Sequence, residues 1–235
     1  MIYTYALIST SALDLSSLSG LRNPLQIWGQ GSLYAVVEEN PFADGVPQED
    51  EALLKAVIHH DRIVQAIFEQ TPVLPLRFGS QFLDREQLEG YLIDHAALYG
   101  EQLAQFQDQA EFTLSFAPRS LPSPNIAPTP EPPKGRDYFL AKKKRLLTEN
   151  DRLQTQQTQW IALQQKIQRA YPYSIWVEGE TPRAYLLVSF KREPHLHKQI
   201  LQWEETYSEW QIQVSPPLPP YHFVTLPTAE SEDDL

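Results

Sequence analysis

The sequence predicts an α+β fold of two tandem ferredoxin-like (split βαβ) units joined by a Pro-rich linker. A long helix opens the second unit and an extended tail ends the chain. Strand and helix signals in the first half follow the order β, short α, β, β, α, β, with one further helix and strand. From residue 110 the order β, α, β, β, α, β recurs, and seven prolines between residues 118 and 133 mark a boundary.

The first segments of the chain predict a strand, a short helix and a hairpin. Residues 2–9 are rich in β-branched and aromatic side chains, which favours a strand. Residues 11–18 are compatible with a short helix. Residues 25–29 and 33–39 flank a turn that contains two glycines, and this pattern is typical of a β-hairpin.

Two longer helices with a strand between them are predicted next. Apolar residues recur at helical spacing from 48 to 70. Residues 73–78 form a short apolar run that predicts a buried strand. Asp84 followed by Gln87 resembles a capping box, so a second helix is expected to begin there and to continue to Phe106.

Residues 110–116 alternate between apolar and polar side chains, which predicts a half-buried strand with Glu111 facing solvent. The Pro-rich linker over residues 118–134 then divides an N-terminal domain, residues 1–117, from a C-terminal domain, residues 135–225. The strand lies before the linker but completes the second pattern, so the sequence does not decide which of the two domains contains it.

A long helix is predicted over residues 135–171, ended by Pro172. A seven-residue apolar period can indicate a coiled-coil seam. Glutamines narrow this stripe in its middle, so packing against the chain's own sheet or a second helix is the favoured interpretation. The residues that recur every seven positions are Phe139, Leu146, Leu153, Trp160 and Ile167.

The rest of the chain predicts strands near residues 173–177 and 184–190, a helix over 195–207 and a last strand over 210–214. A segment dense in prolines and aromatics follows. Residues 226–235 are acidic and predict a disordered tail.

Charge and composition exclude several classes of protein. The net charge of −11 argues against nucleic-acid binding, which requires cations that neutralise phosphates. Residues 1–117 hold 16 acidic and 5 basic residues, whereas residues 134–198 hold 13 basic and 6 acidic ones. This polarity favours electrostatically steered protein contacts. The chain has no cysteine, no apolar stretch long enough to span a membrane and no signal-peptide pattern, so a cytoplasmic protein is expected.

No catalytic, cofactor or metal site is predicted. The histidines of 59–61 and 94–95 have neighbours that diverge around a helix and cannot converge on one metal or proton. The two histidines of 195–197 diverge on a helix and could converge only in an extended segment, where no third ligand with suitable spacing is evident. His60 is expected to bond to nearby backbone. Phosphate-loop, dinucleotide and hydrolase motifs are absent. Arg77 lies inside the apolar run and is expected to need a carboxylate or carbonyl partner, which Asp61 or Glu69 on the preceding helix could supply.

Four segments carry a resemblance to a known family. They are HDRIV at 60–64, TPVLPLRFGS at 71–80, GRDYFLAKKKR at 135–145 and VSPPLPPYHF at 214–223. In this order they resemble the gas vesicle GvpF/GvpL family. Pro216 and Leu218 stand where the family pattern has glycine and tryptophan.

The resemblance implies an accessory, structural protein of gas vesicle assembly that binds the hydrophobic shell protein and other gas vesicle proteins. It implies no enzyme activity and no cofactor. A small-ligand-binding or regulatory ferredoxin-like protein is the alternative, and a hydrolase using His60 or His95 is a third hypothesis. The candidate protein-binding or signature residues are His60, Arg77, Phe78, Gly79, Lys142, Lys143, Lys144, Arg145, Tyr221 and Phe223.

Overall fold

The computed structural model describes residues 1–42, 45, 47, 49–119 and 136–225. The predicted linker and the predicted acidic tail lie outside these residues, apart from Pro118 and Arg119. In chain order the elements are β1 Ile2–Ile8, β2 Gln26–Gln30, β3 Leu33–Glu39, α1 Asp50–Phe68, β4 Leu74–Pro75, β5 Gln81–Phe82, α2 Arg85–Asp94, α3 Ala96–Gln105, β6 Gln109–Pro118, α4 Arg136–Ala170, β7 Ile175–Val177, β8 Arg183–Ser189, α5 Glu193–Thr206 and β9 Trp210–Val214.

The chain is a mixed α+β protein with two sheets. In the first sheet the strand order is β2-β3-β1-β4, and β5 also pairs with β1. The pairs that β1 makes with β3, β4 and β5 are all antiparallel. In the second sheet the order is β7-β8-β6-β9, and the pairs β6–β9 and β7–β8 are antiparallel.

The elements form two compact units. The first contains Met1–Phe112, Leu187–Lys191 and the described residues from Pro216 to 225, and the second contains Thr113–Leu186 and Arg192–Ser215. This division differs from the predicted one, because residues 216–225 belong to the first unit and the boundary falls inside β6. The reason is packing, since the side chains of Phe223 and Val224 lie against the hydrophobic core of the first unit.

The first sheet is covered on both faces. Odd-numbered residues of β3 such as Ala35 join the core cluster that contains Leu88 and Tyr99 of α2 and α3. Neighbouring strand residues point to opposite faces, so Glu38 lies on the face that α1 covers, with His60. Burial from both sides explains why β1 consists of apolar and aromatic residues apart from Thr4.

Several elements depart from the sequence-based expectation. Residues 11–18 form turns rather than a helix, because the Thr10 hydroxyl and the Asp14 carboxylate accept hydrogen bonds from backbone N–H groups two residues on. The predicted helix from Asp84 is capped as expected, but it divides into α2 and α3 at His95. The strand expected over residues 73–78 shortens to two residues.

The loop that connects β1 to β2 is fastened by one buried carboxylate. Glu38 is fully buried, and its Oε2 accepts hydrogen bonds from the Tyr5 hydroxyl at 2.5 Å and the Leu21 N–H at 2.7 Å. Its Oε1 accepts from the N–H groups of Arg22 and Asn23, both at 2.7 Å. Three successive backbone donors thus hold a charge that would be costly to bury without partners.

Gly20 is required by this arrangement. A Cβ built on Gly20 would lie 2.1 Å from the carbonyl oxygen of Asn23 and 2.6 Å from Glu38 Oε2. The loop closes so tightly around the carboxylate that no side chain fits there.

In the second unit, the apolar packing of α4 seen among the described residues lies in its C-terminal half. Leu163 and Ile167 are fully buried. Trp160 lies 4.6 Å from the Trp210 ring and 5.1 Å from the Phe116 ring, between centroids. The favoured interpretation of the seven-residue period, packing within the chain, therefore holds for this half of the helix.

We expect Gly20→Ala to lower the free energy of unfolding by about 2–3 kcal/mol, because the added methyl group displaces the Glu38 carboxylate or the Asn23 carbonyl. Urea denaturation of the purified protein measures this change. Gly100→Ala is the matched control, since its Cβ would meet nothing within 4 Å. In the α3 helix that control should raise the stability by about 0.5–1 kcal/mol. Equal effects of the two variants would contradict the assignment.

Candidate protein-binding site

His60 is buried at the centre of the first unit, where both of its ring nitrogens have partners. Nε2 lies 3.0 Å from the carbonyl oxygen of Leu76, which can only accept, so Nε2 carries the proton. Nδ1 therefore accepts from the Tyr3 hydroxyl at 2.8 Å. That hydroxyl in turn accepts from the N–H of Gly79 at 3.3 Å.

This chain of bonds fixes the neutral form of His60. Burial lowers the pKa of the imidazole below its usual value of 6.5, since the charged form would lose its hydration. A doubly protonated ring would also need Tyr3 to accept a second hydrogen bond. The expected bond from His60 to nearby backbone is present, and it positions the segment that contains Leu76 and Gly79.

Aromatic rings surround the same histidine. Phe78 lies edge-on to His60 at 5.9 Å and to Phe42 at 5.8 Å between centroids, while the Tyr5 ring stacks on His60 at 5.1 Å. Such pairs add to the energy gained by burial. Gly79 has a φ of 92°, a left-handed conformation that glycine adopts without strain, and it turns the chain out of the segment.

The C-terminal segment is anchored beside this cluster. The Tyr221 hydroxyl donates to Asp61 Oδ1 at 3.1 Å. The carboxylate of Glu111, only 2% exposed, accepts from the backbone N–H of His222 at 2.9 Å and lies 2.8 Å from its Nδ1. Burial, followed by the nearby Asp61 charge, raises the pKa of Tyr221. The sequence predicts that Glu111 faces solvent, and this prediction is wrong because the segment that contains His222 covers the carboxylate.

Two segments distant in the sequence line one cleft of about 330 Å³ in the first unit. We call it the signature cleft, because both segments belong to those that carry the family resemblance. Its apolar surface comes from prolyl, leucyl and valyl side chains, and its polar surface from an arginine, a serine and a histidine. The lining residues are Pro75, Leu76, Arg77, Ser80, Tyr221, His222 and Val224.

The position of the Arg77 side chain also differs from the sequence-based expectation. The sequence predicts a buried side chain with a carboxylate or carbonyl partner, but Arg77 is exposed at the rim of the signature cleft. Among the described residues it makes no ion pair with Asp61 or Glu69 or any other carboxylate. The strand ends at Pro75, so Arg77 falls in a turn where it can point to solvent.

The basic run predicted as a contact lies on α4, in the second unit. Lys142, Lys143 and Lys144 are exposed, and the side chain of Arg145 lies outside the described part of the structure. Phe223 is half-buried against the core of the first unit. The structure therefore brings His60, Phe78, Gly79, Arg77 and Tyr221 into one region of the first unit and leaves the lysines in the second.

Other histidines are held by backbone. His59 Nε2 lies 2.9 Å from the carbonyl oxygen of Ser19, and His95 Nδ1 lies 2.8 Å from that of Tyr91. Within the described ranges, no three His, Cys, Asp or Glu side chains form a group that could hold a metal ion. None of the described helices is both long enough and apolar enough to cross a bilayer.

Because the pKa of His60 is lowered in the folded state, the unfolded chain binds more protons below pH 6.5. We therefore expect stability to fall as the pH drops through 6.5 towards the lower folded pKa. His60→Gln should remove this part of the slope and lower the stability at pH 7.5. Urea midpoints across this window measure both effects.

His195→Gln removes an exposed histidine and should keep the wild-type slope. If His60→Gln fails to fold, Tyr3→Phe tests the same bond, because it removes the donor to Nδ1. A His60→Gln slope equal to that of wild type would refute the neutral assignment.

Comparisons with known proteins agree with the resemblance. The model of the family described as "Gas vesicle synthesis protein GvpL/GvpF" matches residues 1–225. A search of curated proteins finds no match. The fold is similar to the crystal structure of GvpF from Anabaena sp. PCC7120, with a TM-score of 0.69, 14% identity and 96% of each chain covered. For GvpF from Microcystis aeruginosa the TM-score is 0.68 at 15% identity, covering 96% of this chain and 99% of that one.

The likeness to the two crystal structures concerns the fold, whereas the family match rests on the sequence of nearly the whole chain. The chain belongs to the gas vesicle GvpF/GvpL family.

Proposed function

We propose that this protein binds the hydrophobic gas vesicle shell protein and other gas vesicle proteins through its signature cleft, at the gas vesicle. Family membership indicates a role in gas vesicle assembly. The observation that carries the proposal is that the 75–80 and 221–224 segments, far apart in the sequence, line one cleft. Both also belong to the segments on which the resemblance rests.

The walls of the cleft suit a protein partner. Pro75, Leu76 and Val224 offer an apolar surface for a partner's aliphatic side chain. Arg77 at the rim offers a planar guanidinium, and arginine is one of the residues enriched at the centres of protein interfaces. A mixed surface of this kind matches an interface core with a polar edge.

The cleft is also held rigid from behind. His60 fixes the carbonyl of Leu76 on one wall, and Glu111 fixes the backbone of His222 on the other. Both are buried, so the two walls cannot shift without breaking buried hydrogen bonds. A site formed in advance loses less conformational entropy when it binds.

The same reasoning extends to the finer description of the fold. The order β7-β8-β6-β9 places the first strand of its unit between the third and the fourth, as the split βαβ arrangement requires. The order β2-β3-β1-β4 has the same form, with turns in place of the first helix. We infer that both units are ferredoxin-like variants.

We expect Arg77→Glu to weaken the complex with the shell protein about tenfold, which corresponds to about 1.4 kcal/mol. The reversed charge places a carboxylate at the rim, and the exposed position keeps the fold intact. The amount of shell protein that co-purifies with the tagged protein after co-expression measures the effect.

Arg183→Glu is the matched control, because it makes the same charge change at an exposed residue of the second unit. It should retain the shell protein at the wild-type level. Absence of shell protein from the wild-type preparation would reject the proposed function. Equal losses in both variants would reject the cleft as its site.

A further inference from the structure

The N-terminal half of α4 carries large apolar side chains that nothing in the described structure covers. Phe139 is 70% exposed, Leu146 62% and Leu153 53%. Leu140 and Leu147 are more than half exposed as well. We call these five residues the α4 stripe. Leaving so much apolar area in water is unfavourable, and exposed patches of this kind mark interaction surfaces.

The α4 stripe does not lie on the face of the helix that packs in its own unit. At about 100° per residue, the positions of Trp160, Leu163 and Ile167 centre roughly 110° around the axis from the centre of the stripe. Arg152 lies on the packed side, where its Nε donates to Glu209 Oε2 at 3.1 Å. Among the residues that the structure describes, the helix therefore has two apolar faces, of which one packs in its own unit and the other stays exposed.

Charged residues flank the stripe in a regular pattern. Lys142 and Glu149 lie on one flank, and Lys144 and Asp151 lie on the other. On each flank a lysine is followed seven residues later by an acid. All four side chains are exposed, and none has an ion-pair partner among the residues that the structure describes.

This pattern is self-complementary when two copies of the helix run antiparallel. In an antiparallel pair each flank faces the same flank of the other copy. Lys142 then lies beside the partner's Glu149, and Lys144 lies beside the partner's Asp151. The two-fold axis repeats both pairs, which gives four ion pairs in the dimer. A parallel pair would instead place lysine beside lysine and acid beside acid, which is repulsive.

We propose that residues 136–153 of α4 pair antiparallel with the same segment of a second copy, with the two-fold axis between Leu146 and Leu147. In this register Leu146 packs on the partner's Leu147, and Leu140 on the partner's Leu153. The interface is isologous, so it closes as a dimer and does not propagate.

The polar residues inside the stripe fit the same register. Lys143 and Asn150 lie on its midline, between the apolar pairs. The register places Lys143 opposite the partner's Asn150, whose amide oxygen can accept from the ammonium group. Single polar pairs at such positions lower the stability of a helix pair but specify its register.

The length of the stripe sets the strength of the dimer. Residues 136–153 span about 27 Å at 1.5 Å per residue, or about two and a half heptads. An interface of this size is at the lower end for specific association, so the monomer and dimer should exchange in the micromolar range.

Sedimentation velocity of the full chain between roughly 5 and 200 µM tests the dimer, because micromolar affinity predicts a shift from monomer to dimer over that range. Leu146→Asp combined with Leu147→Asp should abolish the shift, and the exposed positions should leave the melting temperature unchanged. Leu201→Asp, at another exposed leucine of the second unit, should keep it. A chain that stays monomeric, or a dimer that survives the double substitution, overturns the proposal.

Cysteine cross-linking tests the orientation, since the chain has no native cysteine. A mixture of Leu140→Cys and Leu153→Cys proteins should form a mixed disulfide on oxidation. Leu140→Cys alone should not, because its two copies lie about 20 Å apart in the antiparallel register. Efficient cross-linking of Leu140→Cys to itself would overturn it. Arg77→Glu should leave dimerisation unchanged, so the dimer proposal and the cleft proposal are tested independently of each other.

Discussion

The burial of β1 on both faces is the constraint on which the first unit depends. This strand lies inside its sheet between α1 on one side and α2 with α3 on the other, and all seven of its residues are buried. It nevertheless carries two tyrosines whose hydroxyl groups cannot reach water. Each buried hydroxyl costs on the order of 1–3 kcal/mol unless it finds a partner. Hydrogen bonds offset this cost, because the Tyr3 hydroxyl donates to His60 Nδ1 and the Tyr5 hydroxyl donates to Glu38 Oε2.

These two partners organise the surface as well as the core. The Glu38 carboxylate accepts hydrogen bonds from the backbone N–H groups of residues 21–23, which fixes the long connection after β1. His60 binds the carbonyl of Leu76, and the Tyr3 hydroxyl accepts from the N–H of Gly79, so the turn that contains Arg77 is anchored on both sides. The signature cleft is thus positioned by polar groups that lie beneath it. His60 therefore positions the proposed binding surface from below, without being exposed on it.

The sequence predicted the longer strands and most of the helices because their periodicities are local. It placed α1, the Asp84 cap and the antiparallel hairpin correctly. It could not predict that Glu111 is buried, because the group that covers it, His222, lies 111 residues away. The same limit applies to Arg77, since a strand that stops at Pro75 is decided by pairing with β1 rather than by the apolar run. The resemblance identified the candidate residues, whereas only the fold shows that His60, Arg77 and Tyr221 lie in one region and that the lysines do not.

The seven-residue period of α4 shows how one sequence pattern can serve two surfaces. Its C-terminal part closes the core of the second unit, and its N-terminal part remains exposed with complementary charges on both flanks. A helix that only closed a core would gain nothing from lysines and acids spaced seven apart beside an apolar stripe in water. If the antiparallel pair forms, each dimer carries two signature clefts. A partner that presents several copies of one binding surface would then engage both clefts, and weak binding at each cleft becomes tighter through effective concentration.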